Sequence, residues 1–251
     1  MFLRERHERI IDTLRTDGRV TVSELAERFG VSADCIRKDL KALEGQGLCK
    51  RVYGGAINMS ALPKHNVIRR RNANASEKRV VAERAYALIG SEDVVFLDES
   101  TTNLALADLL AAGERKATVV SNMIDALHTM SKNPLLTVIG TGGNVSPDLN
   151  GFTGASAIAM LEPMRFDIAF LGAYGIDPDT GAVTTFDLDT GLLKQQVMRR
   201  SGRSYLVADH TKVGVEGAYR YATLGDFTAL VSDSLDPAIE TRLEAAGARM
   251  P

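Results

Sequence analysis

Tryptophan is absent from this 251-residue chain, aromatic residues make up only 6% of it, and cysteine occurs twice, as Cys35 and Cys49. Two thiols cannot build a disulfide framework, so the pattern fits a reducing compartment. No stretch reaches the roughly 18 uninterrupted apolar residues of a membrane span. The opening MFLRERHERI is charged and lacks the apolar core of a secretory signal. A cytoplasmic protein without membrane contact is expected. His7, His65, His128 and His210 show no metal-ligand spacing with one another or with the cysteines. Neither a metal nor a cofactor is expected. Internal repeats and low-complexity tracts are missing as well.

What is present is an ordinary globular composition, 45% hydrophobic and 25% charged, on a chain long enough for two domains. The net charge of −2 hides an uneven distribution. Residues 1–79 carry 17 Lys and Arg against 10 Asp and Glu, a balance of +7; residues 80–251 carry 13 against 22, a balance of −9. A basic segment joined to an acidic one suggests that the first meets a polyanion.

Residues 1–57 read as three short helices and a hairpin. Ile10, Ile11 and Leu14 form one apolar face, ended by Asp17-Gly18. Thr21 or Ser23 can cap a second helix, in which Val22, Leu25, Ala26 and Phe29 recur at i, i+3, i+4 and i+7. Gly30 permits a tight turn. Ser32 caps a third helix with Ile36, Leu40 and Leu43 facing inward, and Gly45 and Gly47 end it. Leu48–Tyr53 then alternates like a strand and closes on Gly54-Gly55. The set predicts a winged helix-turn-helix, with its helix-turn-helix core at 20–46, bound to double-stranded DNA. Ser32, Asp34, Cys35 and Lys38 are the candidate base-facing positions, and Arg37, Lys41, Lys50 and Arg51 the candidate phosphate partners. Asp39 would repel phosphate, so it is expected to pair internally with an Arg or Lys.

Residues 58–75 lack periodicity and read as a linker carrying Arg69-Arg70-Arg71. Ser76 is a candidate cap for a helix through about Ile89, with Val80, Val81 and Ala85 inward. From residue 94 onward, short apolar runs (Val94–Leu97, Thr118–Ser121, Leu135–Ile139, Ile168–Gly172, Tyr205–Ala208, Ala229–Val231) alternate with helical stretches. That alternation predicts an α/β domain over 76–251, Rossmann-like, built on a parallel sheet.

The head carries Arg6…Ile10, Thr21-Val22-Ser23-Glu24-Leu25-Ala26, Val31-Ser32…Ile36-Arg37-Lys38-Asp39-Leu40 and Arg51-Val52-Tyr53-Gly54-Gly55-Ala56. In that order and spacing these resemble the DeoR family of bacterial transcription regulators. Cys35 stands where the family usually has Thr, and Tyr53, at a wing position counted with the DNA contacts, where it often has His. The resemblance extends through Asn74…Glu77-Lys78, Leu97-Asp98…Thr101-Thr102, Val120-Ser121-Asn122, Gly142-Gly143, Phe166-Asp167…Phe170-Leu171-Gly172, Gly175-Ile176-Asp177 and Ala208-Asp209…Lys212. It implies a C-terminal sensor domain resembling sugar-phosphate isomerases, a phosphorylated sugar or related metabolite as effector, and Asp98 as part of the site.

Physical reasoning reaches the same region. Glu99-Ser100-Thr101-Thr102 lies between a predicted strand and a helix start, where hydroxyls and free N–H groups suit an anion; an ordinary N-cap uses the same residues. Ser121-Asn122 and Gly142-Gly143 also follow strands, which places three loops at the carboxyl edge of one sheet. Lys194 or Lys212 could supply a charge to a phosphate. Glu99 is an acid where the family carries a small residue; it either points away or selects a different ligand. These readings predict a regulator, a repressor of a sugar-utilisation operon relieved by its effector and acting as a homo-oligomer, dimer or tetramer, that reads paired half-sites. The alternative is a sugar-phosphate isomerase or deaminase-like enzyme fused to a DNA-binding head, with Asp177 or Asp179 and Lys194 as its acid and base.

Overall fold

The computed structural model describes residues 3–58 and 66–251, and the chain divides into two units, Met1–Ala73 and Asn74–Pro251. The first unit runs α1 (Leu3–Asp17), β1 (Arg19–Thr21), α2 (Val22–Phe29), α3 (Ala33–Gly45), β2 (Cys49–Val52), β3 (Gly55–Asn58) and α4 (Val67–Asn72). Its core is Ile10, Leu14, Val20, Leu25, Ile36, Leu40, Leu43, Cys49 and Ala56, all within the pattern of apolar spacing above or on the strands. Each large aliphatic side chain buried there contributes about 1.5–3 kcal/mol.

Local chemistry sets the element ends. Thr21 Oγ1 accepts from Glu24 N at 3.2 Å while the Glu24 carboxylate accepts from Thr21 N at 3.3 Å, a reciprocal cap for α2. Gly30, at φ 63°, turns the chain toward α3, and Ser32 Oγ accepts from Cys35 N to start it. A small antiparallel sheet ordered β1-β3-β2 forms the wing. Gly55 is required here, because a Cβ would lie 1.9 Å from the Val20 carbonyl oxygen on β1.

The segment 58–75 is not irregular throughout. Asn58 ends β3, and Val67–Asn72 forms α4, capped by the Asn66 side chain on Ile68 N. Asn72 packs where a Gly47 Cβ would be. Residues 59–65, including His65, lie outside the described residues.

The second unit runs α5 (Ala75–Ala87), β4 (Val94–Leu97), α6 (Thr101–Ala112), β5 (Ala117–Ser121), α7 (Ile124–Met130), β6 (Leu136–Gly140), β7 (Asn144–Ser146), β8 (Gly151–Thr153), α8 (Ala155–Leu161), β9 (Phe166–Gly172), β10 (Gly175–Ile176), β11 (Ala182–Thr185), α9 (Leu188–Arg200), β12 (Ser201–Val207), β13 (Tyr219–Thr223), β14 (Ala229–Val231) and α10 (Pro237–Ala245). Asn74 rather than Ser76 precedes α5, and Val80 is exposed whereas Val81, Ala82 and Ala85 are buried. The predicted parallel sheet has six strands in the order β14-β12-β9-β4-β5-β6, every pair parallel. The chain builds outward from β4 to β6, then returns across β4 to β9 and builds outward again. The order therefore reverses between β4 and β9, and in such sheets the crevice at the carboxyl ends of that pair is where ligands bind. Two small antiparallel sheets, β7-β8 and β10-β11-β13, were not visible as apolar runs.

Candidate functional site

In the first unit α3 presents Asp34, Arg37, Lys38 and Lys41 to solvent, with Ser32 at its start. Cys35 is half-buried, and Arg6 Nη2 donates to its Sγ at 3.3 Å. The acid expected to pair internally does so: Asp39 is buried and accepts from Arg6 Nε at 2.5 Å and Nη2 at 3.1 Å, with His7 Nε2 at 3.2 Å. That hydrogen-bonded carboxylate raises the Arg6 pKa against the opposing effect of burial. The bidentate pair ties α1 to the middle of α3.

Three of the four expected phosphate partners, Arg37, Lys50 and Arg51, already have internal ones. Arg37 pairs with Asp34. Lys50 and Arg51 share Glu44, at 3.7 and 3.4 Å, and these side chains are 37% and 44% exposed. Tyr53 stands wholly in solvent at the wing tip. Cys49 is a core thiol, pushed up to about 11 mainly by burial.

In the second unit the turn after β4 forms the centre of the crevice. Asp98 is fully buried and accepts from four donors: Gly172 N at 2.6 Å, Ser100 N at 2.9 Å, Asn103 Nδ2 at 2.7 Å and Lys194 Nζ. Burial alone pushes its carboxyl up; the Lys194 charge and these hydrogen bonds outweigh that and hold it below the usual range. Gly172 is a requirement of this packing, since a Cβ would lie 2.4 Å from Ser100 Cβ. Lys194, from α9, is buried between Asp98 and Glu99, whose Oε1 is 3.3 Å from its Nζ, and it lies 5.8 Å from the Tyr221 ring centroid. Burial lowers the Lys194 pKa, but the two carboxylates win and raise it. Burial, then the same two acids, pushes the Tyr221 phenol far up, and its hydroxyl donates to Gly172 O at 2.9 Å.

This corrects the reading of Lys194 as a charge free for a phosphate: it is the counter-ion of two acids. Glu99 points inward, where Asn122 Nδ2 donates to its Oε2 at 2.7 Å. Ser100 Oγ caps α6 by accepting from Asn103 N at 3.2 Å, so the N-cap role is real. Thr101 and Thr102 occupy the first turn of α6 with buried side chains, and Ser100 is half-buried. Ser121 Oγ accepts from Met123 N at 3.0 Å. Gly142 and Gly143 have φ of 60° and 119°, and a Cβ on Gly143 would lie 2.8 Å from Thr153 O. The Lys212 ammonium lies 6.0 Å from the centroid of the Tyr174 ring.

Asn103 and Tyr221 were missed as site members, and Gly172 belonged to the resemblance without being placed in the site. Asn103 had a local signal, three residues after a cap; Tyr221 had none. Two asparagines add a further property. Each amide nitrogen is held by two acceptors, Asp98 and Phe170 O for Asn103, Glu99 and Phe152 O for Asn122. Their Oδ1 atoms therefore face away and, with Asp209 Oδ2, are buried acceptors without a donor among the described residues. Such atoms are costly unless something supplies a hydrogen bond.

Asp177 and Asp179, the candidate acid–base partners of Lys194 in the enzyme alternative, are engaged elsewhere, as is nearby Asp187. Asp177 holds the turn at Thr180, Asp179 pairs with Arg242, and Asp187 caps α9 at Thr190 N. None of these meets Lys194. Among the described residues no cluster could hold a metal ion, and no helix is long and apolar enough to cross a membrane.

Comparison with known proteins follows the same division. Residues 6–61 match the model of the DeoR-like helix-turn-helix domain and residues 73–234 that of the DeoR C-terminal sensor domain. The HTH-type transcriptional regulator GolR of Listeria innocua is 32% identical, covering 98% of this chain and 97% of its own. The glycerol-3-phosphate regulon repressor of Haemophilus influenzae is 28% identical, covering 95% and 92%. Among solved structures, the tetrameric eIF2B-beta2-delta2 complex from C. thermophilum aligns over 98% of this chain and 95% of that one, at 11% identity and a TM-score of 0.50, a likeness of fold.

Proposed function

The chain belongs to the DeoR family of transcription regulators, and on that premise we propose that it represses a carbohydrate-utilisation operon and leaves its operator when a phosphorylated sugar-type effector binds. It is a regulator and not an enzyme, with a helix-turn-helix for operator DNA and a sensor domain for a small molecule. The effector occupies the crevice at the β4–β9 reversal. One observation carries this: the start of α6 and the donorless oxygens of Asn103 and Asn122 stand at the same carboxyl edge. The helix start, with roughly half a positive charge, suits a phosphate; the oxygens suit the hydroxyls of a sugar or polyol.

In this reading Ser100, Thr101, Thr102, Ser121, Asn122, Gly142, Gly143 and Lys212 line the effector, while Asp98 and Lys194 hold the loops in place. The protein acts in the cytoplasm as a homo-oligomer that reads paired half-sites. One relative's name, for the glycerol-3-phosphate regulon, is in keeping with a phosphorylated polyol. Gel-shift titration tests the reading with a promoter fragment that the protein binds and a panel of sugar and polyol phosphates. Release by one member at micromolar to millimolar concentration is expected. Undiminished DNA binding across the panel would overturn the sensor assignment.

A further inference from the structure

The two edges of the six-stranded sheet are finished differently. At one end the tail of the chain covers β14: Leu230 N donates to Arg249 O at 2.8 Å, and all three residues of the strand are buried. At the other end β6 pairs with β5 on one side and, among the described residues, with no strand on the other. Thr137 and Gly140 are exposed there, and Leu136, Val138 and Ile139 are half-buried. An open strand offers alternate N–H and C=O groups to any chain that can pair with them, and proteins blunt such edges with lysine, proline, a bulge or a covering segment. β6 reads Leu-Thr-Val-Ile-Gly, and its register with β5 runs unbroken, so it carries none of the first three.

The surroundings of this edge differ from the rest of the chain in charge. Charged residues make up 25% of the chain, yet the 29 residues from Asn133 to Leu161 hold one, Asp148. That run forms β6, the β7–β8 hairpin and α8. The hairpin stands beside the edge, since a Cβ on Gly140 would lie 3.9 Å from the Phe152 ring. Val145, opposite Phe152 in the hairpin, is 58% exposed, and Leu135, just before β6, is 44% exposed. Neutral and apolar surface gathered in one place suits a buried contact. Its neutrality also selects the occupant. A two-fold axis sets each residue near its own copy, so a charge on the strand would meet its like. An uncharged strand pairs with itself without that repulsion, whereas a partner of different sequence imposes no such condition.

We propose that β6 is a self-association surface of the sensor domain, pairing antiparallel with β6 of a second copy about a two-fold axis at Val138 and joining the two sheets into one. A stable interface needs about 1,000 Å²; Leu135 and Val145, beside the paired strands, add apolar area that a five-residue pairing lacks by itself. The inference rests on the reading of the protein as a homo-oligomer and names the surface that makes it one.

The test uses the full chain. Sedimentation velocity at micromolar concentration should show an oligomer for the wild type. T137K puts a lysine on the open edge at an exposed position and should halve that mass, with an unchanged circular dichroism spectrum. V138C should link two chains under mild oxidation, with the wild type, which keeps Cys35 and Cys49, as the baseline. Directly opposite residues of an antiparallel pair have Cα atoms about 4.5–5.5 Å apart, within disulfide reach. T137C lies offset from its own copy and should link far less. An unchanged mass in T137K, or no link through V138C, would overturn this surface and leave the homo-oligomer standing. Linking through T137C in preference to V138C would overturn the pairing about Val138. A wild type that sediments as a monomer would overturn both readings and leave the edge to a partner of another kind.

Discussion

Asp39→Asn offers the sharpest check on how the DNA-binding unit is built. Arg6 and Asp39 side chains are 8% and 4% exposed and meet in a bidentate geometry at 2.5 and 3.1 Å, so solvent screens them little. Replacing the carboxylate by an amide leaves a buried guanidinium without its counter-ion, facing one amide oxygen, an NH2 donor and the Cys35 sulfur. Breaking one side of such a pair typically costs about 3–5 kcal/mol. A small domain has on the order of 5–15 kcal/mol of total stability, so the loss is a large share of it. Replacing both groups by apolar ones, as in Arg6→Met with Asp39→Leu, removes the unpaired charge and should recover most of the loss. Urea denaturation of the wild type, R6M, D39L and the R6M/D39L double variant measures the coupling, with D39N as the isosteric comparison. The transition of the first unit should move far in D39N and R6M and little in the double variant. Near-additive losses would mean that Arg6 and Asp39 do not act as a pair, and the internal role assigned to Asp39 would fall.

Glu44→Gln should strengthen binding to any duplex several-fold at low salt, because Glu44 now competes with phosphate for Lys50 and Arg51; such partly exposed pairs are worth about 0–1 kcal/mol, and a salt titration showing no change in affinity would refute the competition. Lys194→Met should destabilise the second unit by about 3–5 kcal/mol by stranding Asp98 and Glu99, seen as a lower Tm in calorimetry; a mild effect would restore Lys194 as a free charge. Cys35→Thr should change the base preference in a selected-site experiment by about 1–3 kcal/mol at one position, and an unchanged profile would remove Cys35 from the readout face. His210 should titrate above 6.5 by NMR because Asp233 accepts from its ring, Nδ1 at 2.7 Å; its folded pKa is raised, so its small stabilisation is full below about pH 6.5 and is lost as pH rises through the folded value. D233N should return the midpoint toward 6.5, and no movement would exclude the contact.

What could be read from the sequence was what local chemistry decides. Thr21, one of two candidate caps with Ser23, and Gly30 and Ser32 are caps and turns whose partners lie within a few residues; the structure takes Thr21 and adds the reciprocal bond from Glu24. The βα alternation was visible because strands buried on both faces are continuous apolar runs, as in Val94–Leu97. Strand β1 was not, because three residues carry no period, and it exists only by pairing with β3. The hairpins over 144–153 and 175–185 likewise owe their form to tertiary pairing and not to composition. Lys194 was misread because its partner Asp98 is 96 residues away, and nothing in the local sequence of α9 announces the contact.

The misreading of Lys194 and the correct reading of Asp39 have one physical basis. In this protein four of the basic residues expected to meet an anion, and Arg6 besides, already hold an acid: Arg6 with Asp39, Lys194 with Asp98 and Glu99, Arg37 with Asp34, and Lys50 and Arg51 with Glu44. Charge alone does not separate the ligand contacts from the struts; burial does. For the buried pairs, exchanging the carboxylate for an outside phosphate would strand an acid in low dielectric, a cost of several kcal/mol that one new contact does not offset. For the exposed pairs the released acid is rehydrated, the original bridge was weak, and the counterions shed by DNA favour the exchange. Arg37, Lys50 and Arg51 are therefore free to trade partners on the surface of the first unit, and Arg6 and Lys194 are not. On the proposed reading, the same argument moves recognition of an anionic effector in the second unit away from the ammonium of Lys194 and onto the start of α6, where the charge is that of the backbone and only Ser100 N is already held by an acid, Asp98.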